Sequence, residues 1–359
     1  MKKKATVLLI CGMVVSLSVL SLLLPDRLFS AREKRKLQQW PEFSVGAMLD
    51  GSWEERLEAY TLDQFPFRDS WITLKKVTDR LSGRQEAGNV YLAEDGYLID
   101  TFHSPDMEQF RRNVESLGNF LGQLEVPASV LLVPTAAAVL EDRLPPFAPT
   151  ADQQAMLDQA ARQLPLVQVL EVLKAHPEQQ LYYRTDHHYT SLGAWYCYQA
   201  WRQDRGLPPE DPADWTREVL CRDFYGTTYQ KAGLPWIRPD TITAWYRQDH
   251  PVTYNGTDRE PSLYHRQALE GQDRYGVFLN SNQALSVIEG GGEGNLLLIK
   301  DSFGNTFAQF AAEEFRQVHG VDLRFFRQDL SAYIRENGIT RVLVLYGLEN
   351  FAQDKNLSF

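Results

Sequence analysis

The sequence predicts an α/β fold, with a largely parallel sheet flanked by helices and an N-terminal helix that crosses a membrane. Two observations point to the sheet. Short apolar runs at 130–133, 295–300 and 341–346 are bounded by polar turns, and they alternate with segments of helical apolar spacing. This is the pattern of buried strands joined by crossover helices. A third observation points to the span: after Met1-Lys2-Lys3-Lys4, residues 5–24 carry no charge. At ~1.5 Å per residue such a helix covers a hydrocarbon layer of ~30 Å.

In chain order, the apolar run closes on Leu22-Leu23-Leu24-Pro25, and Phe29 stands where a small residue would be needed for cleavage after Ala31. A retained anchor is therefore expected in place of a removed signal peptide. The three lysines favour a cytoplasmic tail, while Arg27, Arg32, Lys34, Arg35 and Lys36 pull the other way. The short tail favours a folded chain outside the cytoplasm. Two amphipathic helices between Trp53 and Leu81, separated by Phe65-Pro66-Phe67, are expected to wrap the core. Asp95-Gly96 marks a hairpin. Ser104-Pro105-Asp106 caps a helix running to about Leu124, with Pro105 at its first position.

Next come a strand at 130–133, a Pro-rich loop at 144–150, helices near 153–164 and 167–175, and a strand at Leu181-Tyr182-Tyr183-Arg184. Thr190 or Ser191 caps a helix through Trp195 and Trp201. Residues 202–295 are irregular. Their aromatics Tyr225, Tyr229, Trp236, Trp245 and Tyr246 suit either a sugar-stacking platform or ordinary packing. The strand at 295–300 leads into a helix, and 321–326, a helix at 329–337 ending at Gly338, and the strand at 341–346 complete the sheet. Gly290-Gly291-Gly292 is a turn, because no phosphate-loop spacing follows it.

Composition narrows the function classes. The chain has 359 residues, 43% of them hydrophobic, enough for a large core, and a net charge of −10. That charge, with no basic stripe, argues against a nucleic-acid partner. Cys11 lies inside the apolar span, and Cys197 and Cys221 would be able to pair in an oxidising compartment if they meet in space.

Two short pieces carry the chemistry, Asp186-His187-His188-Tyr189-Thr190 and Asp301-Ser302-Phe303-Gly304-Asn305. Ser302 falls on a strand-to-helix turn, where backbone N–H groups and the helix dipole face a developing oxyanion. A serine hydroxyl needs a base, and the base needs an orienting acceptor. If the strand at Leu181 runs into the first piece, Asp186 and His188 project to one side and His187 faces away. Two plainer readings stand beside this. Ser302 suits an N-cap, with Asp301 as a turn residue, and the Asp-His-His stretch suits a metal. Only seven histidines are present, and the other five show no ligand spacing, so no metal is expected.

With these residues placed, the chain resembles the DHHW protein family, and more distantly the alginate O-acetyltransferases, whose catalytic domain is SGNH-hydrolase-like. The resemblance runs in order through Glu33-Lys34-Arg35-Lys36-Leu37, Trp40-Pro41-Glu42-Phe43-Ser44, Tyr60 with Asp63-Gln64-Phe65-Pro66-Phe67-Arg68, Asn89-Val90-Tyr91-Leu92 and Asp95-Gly96-Tyr97-Leu98. It continues through Val133-Pro134-Thr135, Leu144-Pro145, the segment from Tyr182 to Thr190, Gly193-Ala194, Lys300 to Asn305 and Glu349-Asn350. Tyr189 stands where the family name has tryptophan. In the alginate enzymes the motif reads Asp, any residue, His, which implies His188 as the base.

The resemblance implies an extracytoplasmic O-acetyltransferase that modifies a cell-surface or secreted polysaccharide. Ser302 would carry the acyl group, His188 would move protons and Asp186 would orient His188. Asn305, Asp301, Tyr189, Arg184 and Asn350 are candidates for oxyanion or substrate contact, and no cofactor is implied. The acetyl donor would be a multispanning membrane acyltransferase of the MBOAT type. A polysaccharide acetylesterase, or an anchored carbohydrate-binding or scaffold protein without catalysis, are the alternatives. The organisation expected is a cytoplasmic tail at 1–4, a transmembrane signal-anchor at 5–24, a juxtamembrane helical segment at 25–88 and an SGNH-like catalytic domain at 89–359. An irregular insertion at about 202–295 interrupts that domain, and the protein would sit in the cell membrane as a single-pass protein.

Overall fold

A computed structural model describes residues 2–30 and 35–357, so Met1, Ala31, Arg32, Glu33 and Lys34, named above, lie outside the described residues. The chain divides into two compact units, Met1–Ala87 with Gln230–Pro235, and Gly88–Tyr229 with Trp236–Phe359.

In the first unit, helix α1 spans Lys2–Leu23, and its stretch Lys4–Leu23 is long and apolar enough to cross a membrane, with none of it buried. A two-residue antiparallel pairing of Phe29–Ser30 with Arg35–Lys36 follows. Helices α2 (Ser52–Asp63) and α3 (Arg68–Leu81) stand where the apolar spacing placed them. They do not wrap a core, however. Asp63 is the one buried residue of α2, and α3 has none. The buried anchor of this unit is a carboxylate: Asp63 accepts both terminal nitrogens of Arg35 and the Gln38 N–H.

The second unit is built on a seven-stranded sheet. Its strands are β1 (Ala128–Val133), β2 (Val252–Tyr254), β3 (Asp258–Glu260), β4 (Leu285–Glu289), β5 (Asn295–Lys300), β6 (Gln317–Val321) and β7 (Arg341–Gly347). The order across the sheet is β1-β7-β5-β6-β4-β2-β3. The strands from β1 to β6 in that order pair in parallel, with Gly347 opposite Val133, Lys300 opposite Leu345 and Ile299 opposite Val321. This is the α/β, largely parallel core that the apolar runs predict. Strands β4, β2 and β3 extend it in antiparallel fashion.

Helices α4 (Met107–Leu121), α5 (Ser191–Asp204), α6 (Phe303–Glu314) and α7 (Leu348–Gln353) pack against this sheet. Strand β5 is buried along its whole length, as is α6 from Phe303 to Ala312. The parallel register brings the C-terminal ends of β1, β5, β6 and β7 to one edge. Residues 134–135, 301–302 and 347–350 leave the sheet there, the edge at which open α/β sheets hold ligands.

Several local expectations change. Asp106, not Ser104, caps α4, accepting from the Gln109 N–H, so Pro105 precedes the cap. Leu181-Tyr182-Tyr183-Arg184 is not a strand. It is half of a tight fold-back in which Tyr182 bridges Tyr189, and the Thr190 N–H donates to the Leu181 carbonyl. The sixth strand ends at Val321, where it was expected to begin, because Asp322 turns the chain by accepting from the Arg324 N–H. The 202–295 region is more regular than its composition suggests. It supplies three strands of the main sheet and a separate hairpin, Thr216–Phe224 with Asp240–Tyr246.

Candidate active site

Ser302 sits between the end of β5 and the start of α6, with φ −64° and ψ −22°, and its hydroxyl makes no capping bond to the helix. The N-cap reading therefore does not describe it. The capping work is done by Asp301, whose carboxylate accepts the Phe303 N–H at 2.9 Å. The Ser302 Oγ instead lies 2.7 Å from Nε2 of His188. On the far side of the imidazole, Nδ1 lies 2.5 Å from Oδ1 of Asp186. Asp186 and His188 are buried and Ser302 is partly exposed. The two distant pieces thus meet in the order hydroxyl, imidazole, carboxylate.

The meeting of Asp186 and His188 has a local cause other than strand alternation. Within the fold-back, Oδ1 of Asp186 also accepts the His188 backbone N–H at 3.0 Å, an Asx-type bond that sets both ends of the pair. The fold-back is held from outside by Asp240. Its carboxylate accepts from the Arg184 N–H, the Thr185 N–H and hydroxyl, and the Gln180 amide. Thr190 closes the segment by capping α5. Gly193 is required there, because a Cβ would stand 2.3 Å from the Leu181 carbonyl oxygen.

His187 does not face away. Its ring lies against that of His188, with centroids 3.9 Å apart, and its Nδ1 is 2.7 Å from Oγ1 of Thr227. Tyr275 covers the opposite face of His188, parallel within 10° at 3.9 Å. The imidazole is therefore clamped between two rings, a restraint on its plane that the motif alone does not reveal. Tyr275 is fixed in turn by hydrogen bonding with Thr306 at 2.7 Å.

Thr227 completes the carboxylate's surroundings: its N–H and hydroxyl both reach Oδ2 of Asp186, at 2.8 and 3.1 Å. Gly226 lies against the same carboxylate so closely that a Cβ would fall 2.2 Å from it. Burial alone would push the Asp186 carboxyl up. The positive charge available on His187 and His188 and the hydrogen bonds from His188 and Thr227 outweigh it, and hold Asp186 well below the usual carboxylate range.

The other candidates separate. Asp301 is buried and braces the turn, its Oδ2 accepting the Gly347 N–H at 2.9 Å and the Asn350 amide at 2.7 Å. Burial pushes its carboxyl up despite these donors. Asn350 is thereby tied to Asp301, and it lines a small pocket with Thr135, Asp186, His187 and Phe303. Tyr189 is fully buried, donates to the Phe303 carbonyl at 2.7 Å and packs edge-on to the Phe303 ring, so it braces the turn and is closed to substrate. Arg184 bonds the Asp95 carbonyl and Gln180 and lies over Tyr97, none of which belongs to the pocket. Asn305 is buried, its amide donating to the Ser281 carbonyl at 3.1 Å.

Of the backbone donors expected beyond Ser302, those of Phe303, Gly304 and Asn305 are engaged by Asp301 and by the Ser302 carbonyl. The Ser302 N–H is the group of this turn without an acceptor among the described residues. Ligand atoms of Asp186, His187 and His188 lie within 4.8 Å of one another, the spacing of a metal site. In this structure those atoms bond each other and Thr227. Cys197 and Cys221 are both free thiols, and both are buried.

The DHHW protein family matches residues 130–321, more than half of the chain. The chain belongs to the DHHW family. Another DHHW family protein, from Eubacterium siraeum, has a similar fold: 24% identity over 76% of this chain and 94% of that one, with a TM-score of 0.65. Bacillus cereus PatB1, determined with a sulfonyl adduct, aligns over 75% of this chain and 99% of its own at 21% identity, with a TM-score of 0.61. The O-acetyltransferase domain of Pseudomonas putida AlgJ aligns over 74% of this chain and 93% of its own at 14% identity, with a TM-score of 0.47. No curated protein matches significantly. The DHHW motif in this chain is Asp186-His187-His188-Tyr189, and Tyr189 fills the tryptophan position as a buried ring whose hydroxyl has found a partner.

Proposed function

We propose that this DHHW protein is an extracytoplasmic O-acetyltransferase acting on a cell-surface or secreted polysaccharide through an acyl-serine intermediate. The observation that carries the reading is the Ser302 hydroxyl, which makes no capping bond to its own helix and pairs with His188. In the first half-reaction, Oγ of Ser302 attacks the carbonyl carbon of an acetyl ester as its proton passes to Nε2 of His188. The donor's leaving oxygen takes that proton as the old ester bond breaks. In the second, a sugar hydroxyl gives its proton to His188 and attacks the acetyl-serine, and Ser302 recovers the proton as it departs. Asp186 holds the imidazole in the tautomer with Nδ1 protonated and stabilises its cationic form. The Ser302 N–H is the first donor for the oxyanion, which forms over the N-terminus of α6.

The sulfonyl adduct borne by the PatB1 structure supports a reactive nucleophile in this fold, since sulfonylating reagents capture activated hydroxyls. Helix α1 would anchor the protein as a single-pass signal-anchor behind a short cytoplasmic tail at 1–4. Residues 25–88 would then form the juxtamembrane segment and 89–359 the catalytic domain. The acetyl donor would be a multispanning MBOAT-type acyltransferase. The test is incubation of the purified protein with an activated acetyl ester, with and without oligosaccharide. Acetylated saccharide and an acetyl group on Ser302, both lost in Ser302→Ala, are expected. Hydrolysis alone in both arms would make it an esterase. A protein that binds glycan but never labels on Ser302 would be a scaffold.

A further inference from the structure

We infer that the corner joining α2 to α3, with Leu28 and Phe29, lies in the lipid headgroup zone as a second, interfacial membrane contact. This rests on the reading of α1 as a retained span.

The span closes at Leu23, and four residues later the chain is bound to the corner on every side. The Arg27 N–H donates to Oε1 of Gln64 at 2.9 Å, and the Gln64 amide donates back to the Arg27 carbonyl at 3.0 Å. The Arg27 guanidinium bonds Asp69 at 2.9 Å, and Asp26 accepts the Tyr60 hydroxyl at 2.9 Å. Four residues reach at most ~14 Å even when fully extended, and the polar zone on each side of the hydrocarbon is itself about 5–8 Å deep. A corner fastened at Arg27 is therefore held at or beside that zone.

Its surface suits the location. Phe67 is 61% exposed, Leu74 53% and Leu28 73%, with Phe65, Trp71 and Phe29 exposed beside them. Trp71, Leu74 and Leu81 share one helical face of α3, a helix with no buried residue. The Trp71 indole N–H donates to the Pro66 carbonyl, so the ring goes to the interface with its polar group already satisfied. Exposed Lys36 and Lys75 belong to the same unit and suit anionic headgroups. A group of exposed apolar side chains on one unit, rimmed by polar ones, marks a contact site. The aromatics, set at the end of a span, match the belt that forms at membrane–water boundaries.

The test uses the full-length chain with Cys11→Ser, which leaves two buried thiols, and a single Phe67→Cys or Leu74→Cys carrying an environment-sensitive fluorophore. Each is reconstituted into vesicles of phosphatidylcholine and phosphatidylglycerol. Lipids brominated near the headgroup should quench both labels, and aqueous iodide should quench them far less than it quenches the dye–glutathione adduct in solution. Iodide quenching equal to that of the adduct, in protein that floats with the vesicles and keeps an N-terminal tag, would overturn the inference and leave the patch to a protein partner. Loss of the tag or failure to float would remove the anchor reading, and this inference with it.

Discussion

Asparagine in place of Asp186 separates a working triad from an incidental cluster. The carboxylate receives four donors: His188 Nδ1 at 2.5 Å and the His188 N–H at 3.0 Å on one oxygen, the Thr227 N–H at 2.8 Å and hydroxyl at 3.1 Å on the other. An amide has a single acceptor oxygen. With that oxygen toward His188, the new NH2 group confronts the Thr227 N–H, leaving a buried donor unmet at about 1–3 kcal/mol. With the amide flipped, its NH2 faces Nδ1 and selects the tautomer protonated at Nε2. That imidazole donates to Ser302 and no longer accepts from it. Loss of the base function costs on the order of 10⁴ in rate, about 5 kcal/mol of barrier. Thr227→Val removes the hydroxyl and keeps the N–H contact, so a loss nearer to tenfold is expected, the scale of one hydrogen bond of about 1.5 kcal/mol. The assay is turnover of an activated acetyl ester, with thermal melting followed by circular dichroism to separate folding from chemistry. Asp186→Asn protein that melts normally and turns over within tenfold of the parent would refute the assignment.

Three further outcomes can be measured. Gly226→Ala places a methyl 2.2 Å from the Asp186 carboxylate, and displacing that carboxylate should cost about 100-fold in ester turnover with the fold retained. Tyr275→Phe keeps the ring stacked on His188 and should stay within about tenfold of the parent, whereas Tyr275→Ala opens a cavity and should lose about 3–5 kcal/mol of stability along with activity. Paired melting and kinetic measurements on both variants check this. Asp63 is drawn from 3.8 to about 2, chiefly by the hydrogen bonds from Arg35. Its folded value lies below its unfolded one, so its contribution is full above about pH 4 and is lost as pH falls through about 2. Allowing for solvent around Arg35, Asp63→Asn should cost about 1–2 kcal/mol at pH 7 and almost nothing once the pH is below about 2. Hydrogen exchange of the α2 and α3 amides reads the difference.

The sheet was legible because fully buried strands leave an unmistakable trace. Leu296-Leu297-Leu298-Ile299 and Val342-Leu343-Val344-Leu345 are unbroken apolar runs, and both lie in central strands. Strands β2, β3 and β4 escaped because they extend the sheet toward its edge, where β2 and β4 bury only alternate residues and β3 buries none. Val252-Thr253-Tyr254 is too short to show such a period. The helices at 52–81 were found by the same spacing that misled about their burial. Periodicity reports that one face is apolar, and it does not report what covers that face.

The site was half legible, and the missing half has a common origin. Asp186, His188 and Ser302 lie in two compact motifs, and the motif that calls for Asp, any residue and His picks out the imidazole that lies against the Ser302 hydroxyl. Strand alternation would put the same two side chains together, but no strand forms there, and His187 does not face away. In a fold-back the residue between the pair is not thrown to the opposite side, and here it packs on the His188 ring. Gly226, Thr227 and Tyr275 all belong to the region that composition marked as irregular, and each acts through a contact long-range in sequence. A glycine shows in the sequence, but the carboxylate occupying the place of its Cβ does not. If one wall of the imidazole and half of the carboxylate's donors come from 202–295, that region cannot be trimmed as decoration. A chain carrying both motifs without it would keep the hydroxyl, the imidazole and the carboxylate, but it would lose the Tyr275 wall of the imidazole and both Thr227 donors to the carboxylate.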